Sequence, residues 1–196
     1  LTTDQLFGDL LREIWLEKTN ATDLSPLAGL KNLEVLIVDE TKVHDLSPLV
    51  ELKSLKFINL SNTLVSDLTP LAELNGLEGL NLYATTVSDS DLIFLSGLRN
   101  LNFLCLIETE VSDLSPLAGL SNLEVLYLGQ TKVFDLSSLE GLKNLEVLGL
   151  RRTDVSDLSP LKGMENLKWL NLENTQIGEE QIDQLQLALP KCEMSR

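Results

Sequence analysis

The sequence predicts one α/β solenoid, with a curved parallel β-sheet on its concave side and short helical or 3-10 segments on its convex side. Three observations predict this fold. The chain repeats itself about every 22 residues, and each unit places apolar residues first at every second position and then at every third. The 196 residues are 43% apolar but only 5% aromatic, so the predicted core is aliphatic. Units of this length bury their apolar faces by stacking on their neighbours.

The repeat follows the frame L-x-x-L-x-L-x-x-T-x-V-x-D-L-S-P-L-x-x-L-x-N, whose positions are numbered from its first leucine. Eight units match it, here called repeats 1 to 8, and they begin at residues 11, 33, 55, 77, 101, 123, 145 and 167. The fourth unit is two residues longer than the others and lacks the Ser-Pro pair. Threonine occupies position nine in all eight units, and aspartate occupies position thirteen in seven of them.

Repeat 2 shows how each unit is expected to fold. Leu36 and Val38 alternate with Ile37, which predicts a strand that turns the first two inward and Ile37 outward. Apolar residues then recur every third position, as a short helical or 3-10 segment requires, at Val43, Leu46, Leu49 and Leu52. Ser47 before Pro48 is typical of an N-cap followed by the first helical residue.

The two ends of the solenoid are expected to carry caps within a single domain, residues 1–196, because an open end exposes the core. Residues 1–10 are predicted to form an N-terminal cap, with Thr2 and Gln5 as a capping box and with core-covering side chains at Leu6, Phe7 and Leu10. Residues 11–178 form the eight repeats. Residues 179–196 form a C-terminal cap, whose helix from Glu179 to Leu189 ends before Pro190.

The frame resembles the short, 22-residue class of leucine-rich repeat, found in bacterial internalin-like proteins and in regulatory subunits of eukaryotic protein phosphatases. The resemblance covers residues 11 to about 190. Threonine stands at position nine where internalins usually have asparagine, so the sequence is identified as a Thr-type variant of this class from a bacterium. The resemblance implies a solenoid that binds another protein.

The threonine and aspartate columns are interpreted as scaffold. Each threonine hydroxyl is expected to bond to turn backbone and to its stacked neighbours, and each aspartate to accept hydrogen bonds from N–H groups at the next turn. The alternative is a column of calcium sites. One aspartate per repeat, stacked about 4.8 Å apart, supplies too few oxygens for each ion.

Catalytic and metal-binding patterns are missing from the sequence. His44 is the only histidine and takes a position where other repeats carry serine or threonine, so it is interpreted as a surface residue. Cys105 is expected to face outward from its strand, too far from Cys192 for a disulfide bond. No metal-spaced cluster, phosphate loop or nucleophile motif occurs. The sequence therefore predicts a protein that is not an enzyme and uses no cofactor.

The charge of the chain limits its partners. Thirty acidic residues against fifteen lysines and arginines give a net charge of −15, which disfavours nucleic acid and anionic membranes. No apolar run is long enough to cross a bilayer, so membrane insertion is not expected. The expected partner is a protein, bound by a monomer. The compartment stays open between the cytoplasm and secretion or the cell surface of a bacterium.

The concave face is the predicted binding surface, because its strand positions three, five, seven and eight are free of the packing constraints of the repeat. Large apolar side chains and an arginine pair occupy these positions. The candidate residues are Trp15, Ile37, Phe57, Tyr83, Phe103, Ile107, Tyr127, Arg151, Arg152 and Trp169. An apolar centre surrounded by mixed charge is typical of protein interfaces. Two alternatives remain: a recognition or regulatory domain of a larger protein whose catalytic domain lies elsewhere, and a structural spacer.

Overall fold

The structure is a computed structural model that describes residues 10–196. The predicted capping box at Thr2 and Gln5, and the cap residues Leu6 and Phe7, lie outside the described residues. Leu10 is described, and the expectation that it covers the first repeat is wrong, because its side chain is 76% exposed.

One parallel sheet runs the length of the described chain, with its strands in sequence order. Each repeat contributes a strand of three residues at its positions three to five. The nine strands are β1 (Glu13–Trp15), β2 (Val35–Ile37), β3 (Phe57–Asn59), β4 (Gly79–Asn81), β5 (Phe103–Cys105), β6 (Val125–Tyr127), β7 (Val147–Gly149), β8 (Trp169–Asn171) and β9 (Glu193–Ser195). The ninth strand was not predicted; it follows the C-terminal cap helix and pairs with β8.

Short 3-10 segments return the chain along the opposite side of the core. Six of them, in repeats 1, 2, 3, 5, 6 and 7, have the same length: Ser25–Leu27, Ser47–Leu49, Thr69–Leu71, Ser115–Leu117, Ser137–Leu139 and Ser159–Leu161. Repeat 4 uses its two additional residues to form an α-helix, Asp89–Leu92, that continues into a 3-10 turn, Ile93–Leu95. The C-terminal helix runs over Glu179–Ala188. The prediction of Ser47 as an N-cap is wrong, because the 3-10 segment already begins at Ser47.

The core is a continuous aliphatic column between the strands and the 3-10 segments. In repeat 2 the predicted inward residues are all buried, namely Leu36, Val38, Val43, Leu46, Leu49 and Leu52. Ile182, Leu185 and Leu189 close the column at its C-terminal end. The core therefore confirms the predicted solenoid and the inward face of the C-terminal helix.

Each strand leaves the sheet through a residue with left-handed backbone. The residue at position eight has a φ between 52° and 58° in all eight repeats, although none of these residues is glycine. In repeats 1 to 7 its N–H group donates to the position-seven carbonyl of the next repeat, as from Ala84 to Ile107 at 2.9 Å. The stacking of the repeats thus holds a conformation that L-residues otherwise avoid.

Candidate functional site

Four aromatic rings form a connected row on the exposed face of the sheet, the face turned away from the core. The parallel register aligns position three of one strand with position three of the next, so side chains on this face stack in columns. The centroids of Phe57 and Phe103 are 6.2 Å apart, those of Phe103 and Tyr127 are 6.2 Å apart, and those of Tyr127 and Trp169 are 6.5 Å apart. These four residues are called the aromatic row. Their spacing is that of tilted and edge-to-face ring pairs.

Two glycines make this connected row possible. Gly79 lies between Phe57 and Phe103 in the sheet register, and a Cβ atom on it would come within 2.5 Å of Phe57 Cδ2. A Cβ atom on Gly149 would come within 2.8 Å of Tyr127 Cδ1. Each ring therefore occupies the space that a side chain on the following strand would fill. Sequence reasoning missed this role. The signal was a glycine at an outward-facing strand position whose counterpart in the preceding repeat is an aromatic residue.

Tyr83 belongs to a polar network beside the aromatic row. Its hydroxyl donates to Glu108 Oε1 at 3.2 Å, and the same oxygen accepts a hydrogen bond from Gln130 Nε2 at 2.6 Å. Arg152 Nη1 in turn donates to Gln130 Oε1 at 3.1 Å. The negative charge of Glu108 and its hydrogen bond raise the pKa of Tyr83 above its ordinary value. Side chains from repeats 4 to 7 are thus joined across the face.

The two arginines of the predicted pair have different partners. Arg151 Nε lies 3.4 Å from a carboxylate oxygen of Glu173, whereas Arg152 contacts Gln130. Arg151 also lines a recess of about 220 Å³ in the exposed face. The full lining is Ile107, Tyr127, Gly129, Gln130, Gly149, Arg151, Trp169 and Asn171. The recess brings together four residues that the sequence indicated: Ile107, Tyr127, Arg151 and Trp169.

Not every predicted residue contributes exposed surface. Ile37 and Cys105 lie on the outward side of the sheet, as predicted, but they are only 8% and 6% exposed, so the expectation that Ile37 offers binding surface is wrong. Both residues are at position five, where the neighbours in the sheet register are Trp15 and Asn59 for Ile37 and Asn81 and Tyr127 for Cys105. Burial also raises the pKa of the Cys105 thiol. Trp15 is 61% exposed but is not in ring contact with the aromatic row, and its indole N–H donates to Glu13.

The aspartate column has the scaffold role that was predicted. Asp45 Oδ1 accepts a hydrogen bond from the Ser47 N–H at 2.8 Å, at the start of the 3-10 segment. The same backbone bond to the residue two positions ahead recurs at Asp23, Asp67, Asp113, Asp135 and Asp157. This bond, with a second one from the Ser47 hydroxyl, lowers the pKa of Asp45.

Asp89 is the exception in this column. It bonds across to repeat 5, where it accepts from the Ser112 N–H and hydroxyl and from the Asp113 N–H. Burial raises the pKa of Asp89, but these hydrogen bonds outweigh that effect and leave the pKa lowered.

The threonine column is also scaffold: the expected bond to turn backbone is formed, and the expected bond between stacked threonines is not. In each repeat the hydroxyl donates to the carbonyl three residues earlier, as from Thr41 to Val38 at 2.6 Å. The same bond occurs at Thr19, Thr63, Thr85, Thr109, Thr131, Thr153 and Thr175. The expected bonds between stacked threonines are not formed, because each hydroxyl donates its single proton within its own turn.

Other exposed apolar side chains lie away from the strands. Leu64, Ile93 and Phe134 are 60%, 59% and 63% exposed, and sequence reasoning did not select them. They occupy repeats 3, 4 and 6, each at a different position after the strand. His44 is exposed, as predicted. Within residues 10–196, His, Cys, Asp and Glu side chains form no group of three that could hold a metal ion. None of the helices in that range is long and apolar enough to span a membrane.

Comparisons with known proteins agree with this architecture. The family model described as Leucine Rich repeats (2 copies) matches residues 31–73. Internalin C2 from Listeria monocytogenes is similar with 29% identity and a TM-score of 0.86, over 97% of this chain and 84% of the internalin. Another Listeria monocytogenes internalin has 25% identity and a TM-score of 0.75, over 97% of this chain and 68% of that one.

A leucine-rich-repeat protein of Leptospira interrogans has the same fold. It aligns with a TM-score of 0.89 and 24% identity, over 98% of this chain and 51% of the other. No curated protein sequence matches the chain significantly. The repeat, the sheet and these relatives define a solenoid of the leucine-rich-repeat class. The chain has the leucine-rich-repeat fold, and the three solved structures named above are bacterial.

Proposed function

We propose that the chain binds another protein on the exposed face of its sheet, between β3 and β8. Leucine-rich repeats in general are protein-interaction modules, and the internalin-like relatives are typically non-enzymatic. The observation that carries the proposal is the aromatic row. Four large rings in mutual contact lie on a surface where the fold itself requires no aromatic side chain.

The aromatic row has the composition of an interface hot spot. Tyrosine, tryptophan and arginine dominate binding energy at interfaces, and the centre of such a surface is apolar while its rim is polar. Phe57, Phe103, Tyr127 and Trp169 are each half-buried by their neighbours, which fixes the rings before a partner arrives. The polar network through Glu108 and Gln130 supplies a hydrogen-bonded rim. Pre-ordered side chains lose little entropy on binding, which favours affinity.

A second candidate function uses the same face within a larger protein. The chain spans about half of the Leptospira interrogans protein that it resembles. In this proposal the face recognises a substrate or regulator for a catalytic domain encoded elsewhere in the gene. The gene sequence on either side of this chain distinguishes the two proposals, because a catalytic domain there favours the second.

The test compares two triple variants with the same number of truncated side chains. The face variant carries Tyr83→Ala, Phe103→Ala and Tyr127→Ala. The control variant carries Leu64→Ala, Ile93→Ala and Phe134→Ala, which removes exposed apolar groups from the rest of the surface. Binders are selected against the unchanged chain from a displayed library of protein fragments encoded by the source genome.

The enriched binder is then measured against both variants by calorimetry, after circular dichroism shows that each variant is folded. Hot-spot truncations cost at least about 2 kcal/mol each, so the face variant is expected to lose affinity by more than 30-fold. The control variant is expected to bind within about threefold of the unchanged chain. Retained affinity in the face variant, with loss in the control, would place the site on the convex side.

A further inference from the structure

We infer that the recess between Tyr127 and Trp169 receives one glutamate side chain of the partner. The inference rests on the proposed function, because the recess lies within the proposed binding face. Its volume of about 220 Å³ is below the roughly 300 Å³ at which pockets for whole small molecules begin. The space therefore suits a single side chain presented by a partner protein.

Glycines give the recess its depth. Gly149 leaves room for the Tyr127 ring, and Gly129 presents bare backbone, where a Cβ atom would lie 3.3 Å from the Arg151 carbonyl oxygen. Ile107, Tyr127 and Trp169 supply apolar surface around this floor. The two methylene groups of a glutamate match such a lining, because apolar stems gain from burial while the charged end stays bonded.

Most of the free polar groups of the recess are hydrogen-bond donors, and the Tyr127 hydroxyl can donate or accept. Arg151 uses its Nε toward Glu173, and its two terminal nitrogens have no partner among the described residues. The Trp169 indole N–H and the Asn171 Nδ2 group have none there either, whereas Asn171 Oδ1 accepts from the Glu173 N–H. A carboxylate is an acceptor only, and it matches a guanidinium fork through two parallel bonds.

The neighbouring acids do not favour a basic occupant. Glu108 already accepts from Tyr83 and Gln130, and Glu173 lies against Arg151. Gln130 uses its amide nitrogen for Glu108 and its amide oxygen for Arg152, which leaves it committed on both sides. A lysine or arginine entering the recess would meet the positive charge of Arg151, and neither Glu108 nor Glu173 lines the recess. The net charge of −15 disfavours a strongly acidic partner as a whole, so the inference concerns one acidic side chain.

The test uses capped amino acids as probes and two-dimensional NMR of the ¹⁵N-labelled chain. N-acetyl-glutamic acid α-amide carries only a side-chain carboxylate, and N-acetyl-glutamine amide is its neutral analogue. N-acetyl-glutamine with a free α-carboxylate mimics a chain terminus. The indole N–H of Trp169 reports on the recess, and that of Trp15 is an internal control because it bonds to Glu13 outside the recess.

The glutamic acid probe is expected to give saturable shifts at Trp169, at least tenfold tighter than the neutral probe, with no shift at Trp15. Arg151→Gln is expected to abolish the difference between these probes, and Arg99→Gln, which changes an exposed arginine that does not line the recess, to preserve it. Equal binding of the charged and neutral probes, or tighter binding of the free α-carboxylate, overturns the inference. Since no partner is used, such a result leaves the proposed binding face to be judged by the triple variants.

Discussion

Replacing Gly149 with alanine tests whether the glycine holds the Tyr127 ring in the aromatic row. The backbone of Gly149 is not left-handed, so alanine meets no backbone strain there. Its Cβ atom would lie 2.8 Å from Tyr127 Cδ1 but 3.7 Å from Tyr127 Cα. The clash is therefore with the ring and not with the chain. We expect the ring to rotate away and its contact with Trp169, now 6.5 Å between centroids, to be lost.

Two opposing terms set the effect on stability. An aromatic pair is worth about 0.5–1.5 kcal/mol beyond the area it buries. Alanine in place of glycine stabilises by about 0.4–1 kcal/mol, because it restricts the unfolded chain. The net change for Gly149→Ala is therefore within roughly 1 kcal/mol of zero, or about 2–4 °C in Tm for a chain of this length. Gly119→Ala is the matched control, since nothing lies within 4 Å of its Cβ position.

The assay is a double-mutant cycle in a Trp15→Phe background, where Trp169 is the sole tryptophan. Urea unfolding gives the stability of Gly149→Ala, Tyr127→Ala and the double variant, and Trp169 fluorescence reports the loss of the ring contact. In the Tyr127→Ala background the alanine is expected to stabilise, as Gly119→Ala does. A coupling between positions 127 and 149 below about 0.5 kcal/mol, the usual limit of additivity, would refute the role assigned to the glycine.

Three further outcomes are expected. Ala84 has a φ of 52°, so Ala84→Gly is expected to raise the free energy of unfolding by about 1 kcal/mol in urea titrations. Ala72 has a φ of −54°, so Ala72→Gly is expected to lower the free energy of unfolding. A lower stability of both variants would contradict the strain argument. Folding lowers the pKa of the Asp45 carboxyl below its ordinary value of 3.8. Its contribution to the stability of the folded chain is therefore present at pH values above 3.8 and is lost as the pH falls through the lowered pKa. The stability difference between the chain and Asp45→Ala is therefore expected to be constant above about pH 5 and to shrink toward pH 3, and a difference that grows on acidification would be inconsistent with this. Burial raises the pKa of the Cys105 thiol, and it raises the pKa of the Cys192 thiol to about 11. Labelling of the folded chain by a thiol reagent at pH 8 is therefore expected to be slow at both cysteines, and labelling in urea is expected to be rapid. Fast labelling of the folded chain would show that a thiol is accessible.

The repeat made most of the fold predictable. A column residue such as Leu36 or Val43 takes its direction from its place in the frame, because every repeat must meet its neighbours with the same apolar surface. Strand β9 was less accessible to this reasoning. It follows Pro190 and does not match the repeat frame, so nothing periodic marks it, and only its pairing with β8 defines it.

The site was predictable in composition but not in arrangement. Register alone placed Phe57, Phe103 and Tyr127 on one face of the sheet. It did not show that Ile37 would be covered, because exposure on a narrow face depends on the size of neighbours on two other strands. The glycines were harder still to interpret. Their effect appears only when the ring on the preceding strand is known to lie over them.

The scaffold and the exposed face differ in how fully their polar groups are bonded. In the described residues the threonine hydroxyls donate their protons within their own turns, and the carboxylates of the aspartate column accept hydrogen bonds from nearby backbone N–H groups. Both columns therefore use these groups to hold the turns and not to bind a ligand. On the face, the Arg151 terminal nitrogens and the Trp169 indole N–H have no hydrogen-bond partner among the described residues, and they lie beside rings that the fold does not require. Such exposed donors bond to water in the free chain, and covering them without an acceptor would cost free energy. A partner carboxylate in the recess would supply the acceptor that these donors lack.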